Sequence, residues 1–289
     1  MTKASGPTRR QRIAQAMETL NILEKGQYSL PNENVISIAE EQTAARLGTK
    51  VYRPEELEEL DDAIEAKLAS LDHQTILEVH RTNSLAAAAP LTSTYKTAVH
   101  NFASARNPGG GFLTGAKAQE EDLSRASGLY PCLKDRAQVF YNANRKSGTS
   151  FYTDHMVFSP QVPVFRNLEG ELLEKPFLVD FLTAPAVNAG AIHKNEKRHI
   201  DDIEATMRAR IYYLLGIAVL QDVEALVTGA WGCGVFENEP LMIAGLFSEM
   251  LNKGGPYSRA FKHVSFAVLD KMEDGKFIQP FKRRFTSEY

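Results

Sequence analysis

After residue 74, short apolar runs alternate with glycine-marked turns and longer amphipathic helices. Six of these runs have the length and composition of strands, and they are Thr75–His80, Thr97–Phe102, Met156–Ser159, Phe177–Thr183, Val223–Thr228 and Val264–Leu269. The clearest helix between them runs from Arg198 to Gln221 and carries its apolar residues on one stripe. This alternation predicts an α/β fold in which helices cover both faces of a sheet.

The N-terminal part of the chain differs in being polar and poor in strand candidates. Its pattern predicts helices over Arg9–Leu23 and from Arg53 to near Leu71. We therefore divide the chain into an N-terminal helical accessory segment, residues 1–73, and a domain of residues 74–289 on which that segment packs.

Two patterns in the second part of the chain predict local structure. Asn238 is a candidate N-cap because Pro240 follows in the expected first turn, and this helix should stop at Gly254–Gly255. The stretch Arg136–Thr153 is polar but carries four aromatic residues, which favours an ordered loop over a linker.

The charge balance limits the partners of the chain. Lys and Arg number 33 against 36 Asp and Glu, so a net charge of −3 gives no overall field toward nucleic acid or anionic lipid. No window reaches the roughly 20 apolar residues of a membrane span. We expect no membrane and no sequence-specific nucleic acid as partners, and a monomer in the cytoplasm. The basic cluster Arg9, Arg10 and Arg12 favours a solvated terminus over a polymer contact.

Cysteine and histidine spacing argues against a disulfide framework and a metal centre. Cys132 and Cys233 stand 101 residues apart without a CxxC, as suits a reducing compartment. His193 and His199 are six residues apart, which is not the HExxH spacing. We therefore expect no metal and no cofactor. If a divalent ion proved necessary, these histidines and Asp201–Asp202 would be examined first.

The most informative segment is Asn101–Tyr130, NFASARNPGGGFLTGAKAQEEDLSRASGLY. It leaves a strand, crosses Gly109, Gly110 and Gly111, and enters a helix with acidic residues at its start. Glycines accept positive φ and have no Cβ, so a ligand phosphate can lie against the backbone N–H groups of such a loop. A tight turn without a ligand explains the three glycines equally well.

Gln119, Glu120 and Glu121 stand at the start of this helix, where the macrodipole alone favours acidic residues. With 100° per residue, Leu123 marks the buried stripe, and Glu121 points about 160° away from it while Glu120 lies nearer. The two carboxylates should then face different directions, unlike a symmetric pair across one bond. We expect one acid to transfer a proton and its neighbour to anchor the substrate.

A second glycine cluster, Gly229–Asn238 with the sequence GAWGCGVFEN, follows the Val223–Thr228 strand. Two glycine loops at the carboxyl ends of strands can jointly hold one extended, phosphate-bearing ligand. A Rossmann dinucleotide site fits poorly because no early GxGxxG opens a βαβ unit. Taken alone, Phe236 indicates only a core aromatic.

Together these motifs resemble the microbial-type poly(ADP-ribose) glycohydrolases. The resemblance rests on GGG, seven further residues, QEE and the later GAWGCGVFEN loop, and it spans roughly residues 75–289. It implies a macrodomain-like, three-layer α/β/α fold with a mixed sheet, and hydrolysis of ADP-ribose polymers. The N-terminal helices would be the accessory segment that these enzymes carry.

The resemblance also implies roles for individual residues. Glu121 matches the catalytic acid, and Glu120 matches the residue that holds the ribose hydroxyls near the scissile bond. Gly109–Gly111 match the loop around the diphosphate and distal ribose. The remaining substrate-binding residues are Gln119, Gly232, Cys233, Gly234, Val235 and Phe236. The aromatic ring of Phe236 would position the terminal ribose.

The implied reaction needs protonation of the leaving 2′-oxygen, stabilisation of an oxocarbenium-like ribose and delivery of water. Glu121 would act first as acid and then as base, and Glu120 in a closed cleft would raise its pKa while the helix N-terminus lowers it. The implied ligands and partners are poly(ADP-ribose), ADP-ribose and ADP-ribosylated proteins. Two alternatives stay open: a mono-ADP-ribosyl hydrolase acting on protein or nucleic acid, and a non-catalytic ADP-ribose-binding macrodomain.

Overall fold

The computed structural model describes residues 6–286. Its strands are β1 Gln27–Ser29, β2 Val35–Ser37, β3 Lys50–Tyr52, β4 Ile76–His80, β5 Thr97–Phe102, β6 Met156–Arg166, β7 Leu172–Ala184, β8 Ala225–Thr228 and β9 His263–Ala267. Its helices are α1 Arg9–Lys25, α2 Ala39–Gly48, α3 Pro54–Glu58, α4 Asp61–Ala69, α5 Ser84–Leu91, α6 Gln119–Ala126, α7 Leu129–Asp135, α8 Phe140–Lys146, α9 Ala189–Asn195, α10 Asp202–Leu220, α11 Pro240–Leu251 and α12 Ile278–Phe285. No helix within residues 6–286 combines the length and apolar character needed to cross a bilayer.

Seven strands form one mixed sheet in the order β3-β6-β7-β5-β8-β9-β4. β5 pairs in parallel with β7 and β8, and β9 pairs in parallel with β8 and β4. β6 runs antiparallel to both β7 and β3. All the parallel strands end at the same edge of the sheet, so the loops that follow them meet there.

Apolar side chains on both faces of the sheet hold the helices in two layers. Successive residues of a strand face opposite sides. Ala98 and Leu226 therefore pack in one cluster with α10 and α11, whereas Val99 and Val227 pack in the other with α6 and α7. This arrangement confirms the three-layer α/β/α fold expected from the sequence.

All six predicted strands are present, and three further strands lie in the N-terminal part, contrary to the expectation of a helical, strand-poor segment. β1 and β2 pair with each other, and β3 joins the main sheet where Lys50 pairs with Phe158. Strands of three residues are too short to show an alternating pattern. The division at residue 73 stays a prediction, although β3, which lies before it, belongs to the main sheet.

The helix bounds differ from the predictions at several points. The segment expected to be one helix from Arg53 to Leu71 forms two, α3 and α4. The stretch Arg136–Thr153 is not loop throughout, because the fully buried Phe140 and Tyr141 anchor α8 in the core.

Asn238 does not cap α11. Its side chain is buried, and Nδ2 donates to the carbonyl oxygens of Val187 at 2.8 Å and Gly232 at 3.2 Å. The cap is Glu239, whose carboxylate accepts from the Leu241 amide. Asn238 therefore stabilises the second glycine loop instead of the helix that follows it.

One buried cation joins α10 to two loops at the sheet edge. Arg210 is 2% exposed, and its guanidinium donates from Nε to Asp154 Oδ1 at 2.7 Å. Its two terminal nitrogens donate to the carbonyl oxygens of Pro185 at 3.1 Å and Phe151 at 2.8 Å. Arg210 thus holds both the segment before β6 and the segment after β7 against the helical layer.

We predict that Arg210→Met lowers the free energy of unfolding by about 3 kcal/mol, because unpaired buried acceptors cost roughly 1–3 kcal/mol each. The matched control is Arg208→Met on the same helix, since Arg208 is only half-buried and pairs with the exposed Glu204 and Glu249. The control should lose less than about 1 kcal/mol. Urea unfolding followed by circular dichroism measures both, and equal losses would contradict the role given to Arg210.

Candidate active site

A cavity of about 620 Å³ opens where the parallel strands end. The loop after each of the five parallel strands contributes to its wall: Thr82 follows β4, Ser104 follows β5, Ala186 follows β7, Trp231 follows β8 and Leu269 follows β9. The start of α6 closes one side. This is the position at which open α/β sheets bind ligands.

The glycine triplet forms a tight turn that brings its backbone against α6. Gly109 and Gly110 have φ values of +66° and +58°, which disfavour any residue with a Cβ. A Cβ on Gly110 would collide with Oε1 of Glu121 and lie 3.2 Å from Oε2 of Glu120. The triplet is therefore needed for close approach to two carboxylates, a reason that the sequence did not show.

Gly109 stands apart from the other predicted binding residues. It does not line the cavity, and a Cβ there would lie 2.9 Å from the Phe112 ring and 3.0 Å from Ser124 Oγ. The cavity wall does include Gly110, Gly111, Gln119, Glu120, Glu121, Gly232, Cys233, Gly234, Val235 and Phe236. The structure thus brings both motifs together in one cavity.

Gln119 fixes the start of α6 to the sheet. Its Oε1 accepts from the Phe102 amide at 2.8 Å, and its Nε2 donates to the His100 carbonyl at 2.7 Å and to Ser84 Oγ at 3.0 Å. Since the protein itself uses three of the hydrogen bonds of this side chain, Gln119 positions the acidic turn that follows.

Glu120 is buried, with 2% of its surface exposed. Its Oε2 accepts from the Ser104 amide at 2.6 Å, and its Oε1 lies 3.4 Å from Asn101 Nδ2. Burial, opposed by the bond from Ser104 and reinforced by the charge of Glu121, raises the pKa of Glu120 to about 8. This carboxyl group is therefore mostly protonated at neutral pH.

Glu121 is 9% exposed and faces the same glycine. Its Oε1 accepts from the Gly111 amide at 2.9 Å, whereas its buried Oε2 has no hydrogen-bond partner among residues 6–286. The expectation that the two carboxylates point apart is wrong, because both approach Gly110. Their partners differ, so the pair is close but not symmetric.

The second glycine loop combines packed and open positions. Gly232 has φ +71°, and a Cβ there would lie 2.5 Å from both Ala186 Cβ and Asn238 Nδ2. A Cβ on Gly234 would meet no atom within 4 Å. Val235 is 83% exposed, and the half-buried Phe236 packs on the Tyr152 ring at a centroid distance of 5.8 Å.

Sequence reasoning missed much of the cavity wall. The unpredicted lining residues include Thr82, Asn83 and Ser84 after β4, and Leu269, Lys271 and Phe277 after β9. Neither loop carries a glycine motif at the positions that line the cavity. The available signal was their place after predicted strands, which puts them at the ligand-binding edge of a parallel sheet.

The histidines considered for a metal lie elsewhere. His193 Nδ1 lies 2.8 Å from the Ala189 carbonyl oxygen, and the exposed His199 pairs with Asp202 at 3.0 Å. Neither histidine lines the cavity. Within residues 6–286 there is no group of three or more His, Cys, Asp or Glu side chains arranged to hold a metal.

Comparison with known proteins gives the family. A family model described as the catalytic domain of microbial-type poly(ADP-ribose) glycohydrolase (PARG) matches residues 16–167. The PARG of Thermomonospora curvata is 43% identical, with a TM-score of 0.88 over 96% of this chain and 100% of that chain. The chain belongs to the microbial-type PARG family. No match was found among the curated proteins.

Two further PARG structures are similar and contain ligands. The T. curvata enzyme bound to the inhibitor ADP-HPD is 43% identical, with a TM-score of 0.87 over 96% of this chain and 100% of that chain. The Deinococcus radiodurans PARG in complex with ADP-ribose is 42% identical, with a TM-score of 0.81 over 91% of this chain and 100% of that chain. The PARG family model covers the glycine triplet and QEE, and the second glycine loop lies beyond it.

The raised pKa of Glu120 predicts how stability depends on pH. The folded state keeps the Glu120 proton up to about pH 8, whereas the unfolded chain loses it near the ordinary pKa of a glutamate, 4.5. Glu120 therefore costs stability progressively as pH rises between these values. We expect Glu120→Gln to gain stability relative to the unsubstituted protein from pH 5 to pH 8.

Denaturant unfolding across that pH range measures the difference in free energy of unfolding. Glu41→Gln, an exposed residue in the first turn of α2, is the matched control and should give a difference that does not change with pH. A pH-independent difference for Glu120→Gln as well would show that its pKa is not raised.

Proposed function

We propose that the protein hydrolyses the ribose–ribose O-glycosidic bonds of poly(ADP-ribose) and releases ADP-ribose. The observation that carries the proposal is the placement of Glu121. Glu121 lines a cavity large enough for a nucleotide, and one of its oxygens is held by the Gly111 amide while the other has no hydrogen-bond partner among residues 6–286. Membership of the PARG family and the ADP-ribose complex of the D. radiodurans enzyme support this assignment.

The carboxyl pair suits acid catalysis. The raised pKa of Glu120 keeps that carboxyl group protonated at neutral pH, and Glu121 lies beside it at Gly110, so the proton can pass to Glu121. We assign the free oxygen of Glu121 to the leaving 2′-oxygen, which needs that proton as the glycosidic bond breaks. Glu121 then accepts a proton from the water that attacks the oxocarbenium-like ribose.

The remaining site residues hold the substrate or hold the acids. We assign Glu120 to the ribose hydroxyls next to the scissile bond, and the amides of the two glycine loops to the diphosphate and distal ribose. Phe236, whose ring packs against the ring of Tyr152, would position the terminal ribose. Gln119 and Gly109 act through the protein, since one fixes α6 and the other packs on Phe112.

The finer expectations about partners and place stay part of this proposal. We propose that the enzyme acts as a monomer on polymer attached to ADP-ribosylated proteins, in the cytoplasm. Both cysteines, Cys132 and Cys233, are free and buried, which suits a reducing compartment.

We predict that Glu121→Gln lowers kcat on poly(ADP-ribose) by about 10²–10⁴-fold, because an amide cannot transfer the carboxylic proton. Binding of ADP-ribose should persist, since the amide oxygen can still accept from Gly111. Release of ADP-ribose from labelled polymer measures the rate, and calorimetric titration measures binding. Glu41→Gln again serves as the control for loss of one carboxylate.

Near-normal kinetics of Glu121→Gln would contradict the assigned role. A parallel assay with mono-ADP-ribosylated protein separates the alternatives. Release from that substrate but not from polymer would favour a mono-ADP-ribosyl hydrolase. Binding without turnover of either substrate would favour a non-catalytic reader.

The second loop offers a matched pair of glycines for testing phosphate approach. Gly234→Ala places its methyl group in open space, so the melting temperature should not change, while ADP-ribose should bind at least several-fold more weakly. Gly232→Ala should instead lose roughly 1 kcal/mol or more of stability, since φ is +71° and Ala186 is in the way. A thermal melt beside a calorimetric titration decides, and unchanged affinity in Gly234→Ala would remove this loop from the binding site.

A further inference from the structure

Two lysines of the cavity wall lie close to the N-terminal segment that carries Arg9 and Arg12. Lys117 precedes α6, Lys271 follows β9, and both are exposed residues of the cavity wall. The segment before α1 lies beside them, because a Cβ on Gly6 would be 3.4 Å from Lys117 Nζ. We call Lys117, Lys271, Arg9 and Arg12 the cationic rim.

The two arginines of the rim are fixed to the loop after the glycine triplet. Nε of Arg9 donates to the Thr114 carbonyl at 3.0 Å, and Nε of Arg12 donates to the Gly115 carbonyl at 2.8 Å. Gly115 has φ +75°, and a Cβ there would lie 2.7 Å from the Arg9 carbonyl oxygen. The fold therefore fixes both arginines to the loop between the glycine triplet and α6, although Arg9 stays exposed to solvent and Arg12 is half-buried.

The rim has little compensating negative charge. Within residues 6–286, none of its four members forms an ion pair. Partial burial and then the ammonium of Lys271 lower the pKa of Lys117, with Arg12 adding to the effect and Asp122 opposing it. Asp122 itself pairs with Arg125. Like charges held this close repel, and an anion that binds between them relieves the repulsion.

We propose that the cationic rim binds phosphates of the polymer that lie outside the cavity, beyond the ADP-ribose unit held by the glycine loops. This inference rests on the proposed function. A polymer longer than one unit must leave the cavity through its mouth, where Lys117 and Lys271 stand. An ammonium group offers three donors without a fixed geometry, which suits the diphosphates of a flexible polyanion.

The rim gives the enzyme a means of distinguishing polymer from a single ADP-ribose. Free ADP-ribose fits the cavity, and its affinity depends mainly on the glycine loops and less on the rim. A polymer engages both, and each phosphate neutralised by the rim releases counterions. The rim should therefore make activity on polymer sensitive to salt.

The test compares the double variant Lys117→Gln, Lys271→Gln with the unsubstituted protein on long poly(ADP-ribose) at about 50 and 200 mM salt. Two phosphate contacts correspond to roughly a sevenfold change in affinity over this range. We expect kcat/KM on polymer to be several-fold lower in the double variant at low salt. The fold-decrease in kcat/KM between the two salt concentrations should be about sevenfold smaller in the double variant than in the unsubstituted protein. Affinity for free ADP-ribose should fall much less than activity on polymer, because both lysines belong to the cavity wall but the glycine loops hold the single unit. The melting temperature should not change.

The matched control is Lys282→Gln, Arg283→Gln, which removes the same charge from exposed residues of α12. It should behave like the unsubstituted protein. The proposal is overturned if the double variant keeps the full salt dependence, or if its affinity for free ADP-ribose falls as much as its activity on polymer. If an oligothymidylate of similar charge competed for the protein as well as poly(ADP-ribose) does, the rim would be a nucleic-acid site. That result would also overturn the proposal.

Loss of the proposed function itself would look different. In that case the unsubstituted protein would bind polymer without cleaving it. Polymer binding measured by fluorescence anisotropy would then test the rim directly, with the same two double variants and the same salt range. Weaker, less salt-dependent binding in the rim variant alone would support the inference, and identical binding in both variants would refute it.

Discussion

The hydrogen bond between the Gly111 amide and the Glu121 carboxylate joins the glycine turn to the first turn of α6. This hydrogen bond requires the backbone at Gly110 to lie in contact with two carboxyl groups. Only glycine permits that contact, because a Cβ at this position would collide with Glu121. Much of the surrounding structure keeps these two turns together. Gln119 fixes α6 to β5 from below, and Arg12 of α1 holds the far end of the loop.

The same constraint sets the chemistry of the pair. Placing Glu120 in a buried site beside a second carboxyl group disfavours its charged form, so the pKa rises even though the Ser104 amide donates to it. Burying this group lowers the free energy of unfolding at neutral pH, and the same burial keeps the carboxyl group protonated there. An enzyme that must protonate a leaving group gains from that protonation state, which connects a local cost in folding to the reaction proposed for the site.

The features found from sequence are those whose signal is local. Strand runs, the GGG turn and QEE each fit within a few residues, and the resemblance that they carry led to the family. What escaped prediction depends on contacts between distant segments. β3 becomes a strand only because β6 offers an edge, and Asn238 turns from helix cap to loop support because Val187 lies beside it. Glu120 and Glu121 converge on one glycine because of where the glycine turn lies against α6. A helical wheel gives directions within one helix and does not include the position of that turn.

The order of strands in the sheet also determines when the cavity can form during synthesis. β4, near the start of the second part of the chain, is the edge strand of the described sheet and pairs there with β9, where Ile76 pairs with His263. Until β9 leaves the ribosome, β4 has no strand to join and the loop after it cannot take its place in the wall. Such long-range parallel pairing is slow to form and leaves apolar strands unpaired meanwhile. The nascent chain should therefore depend on chaperones until β9, His263–Ala267, has been made.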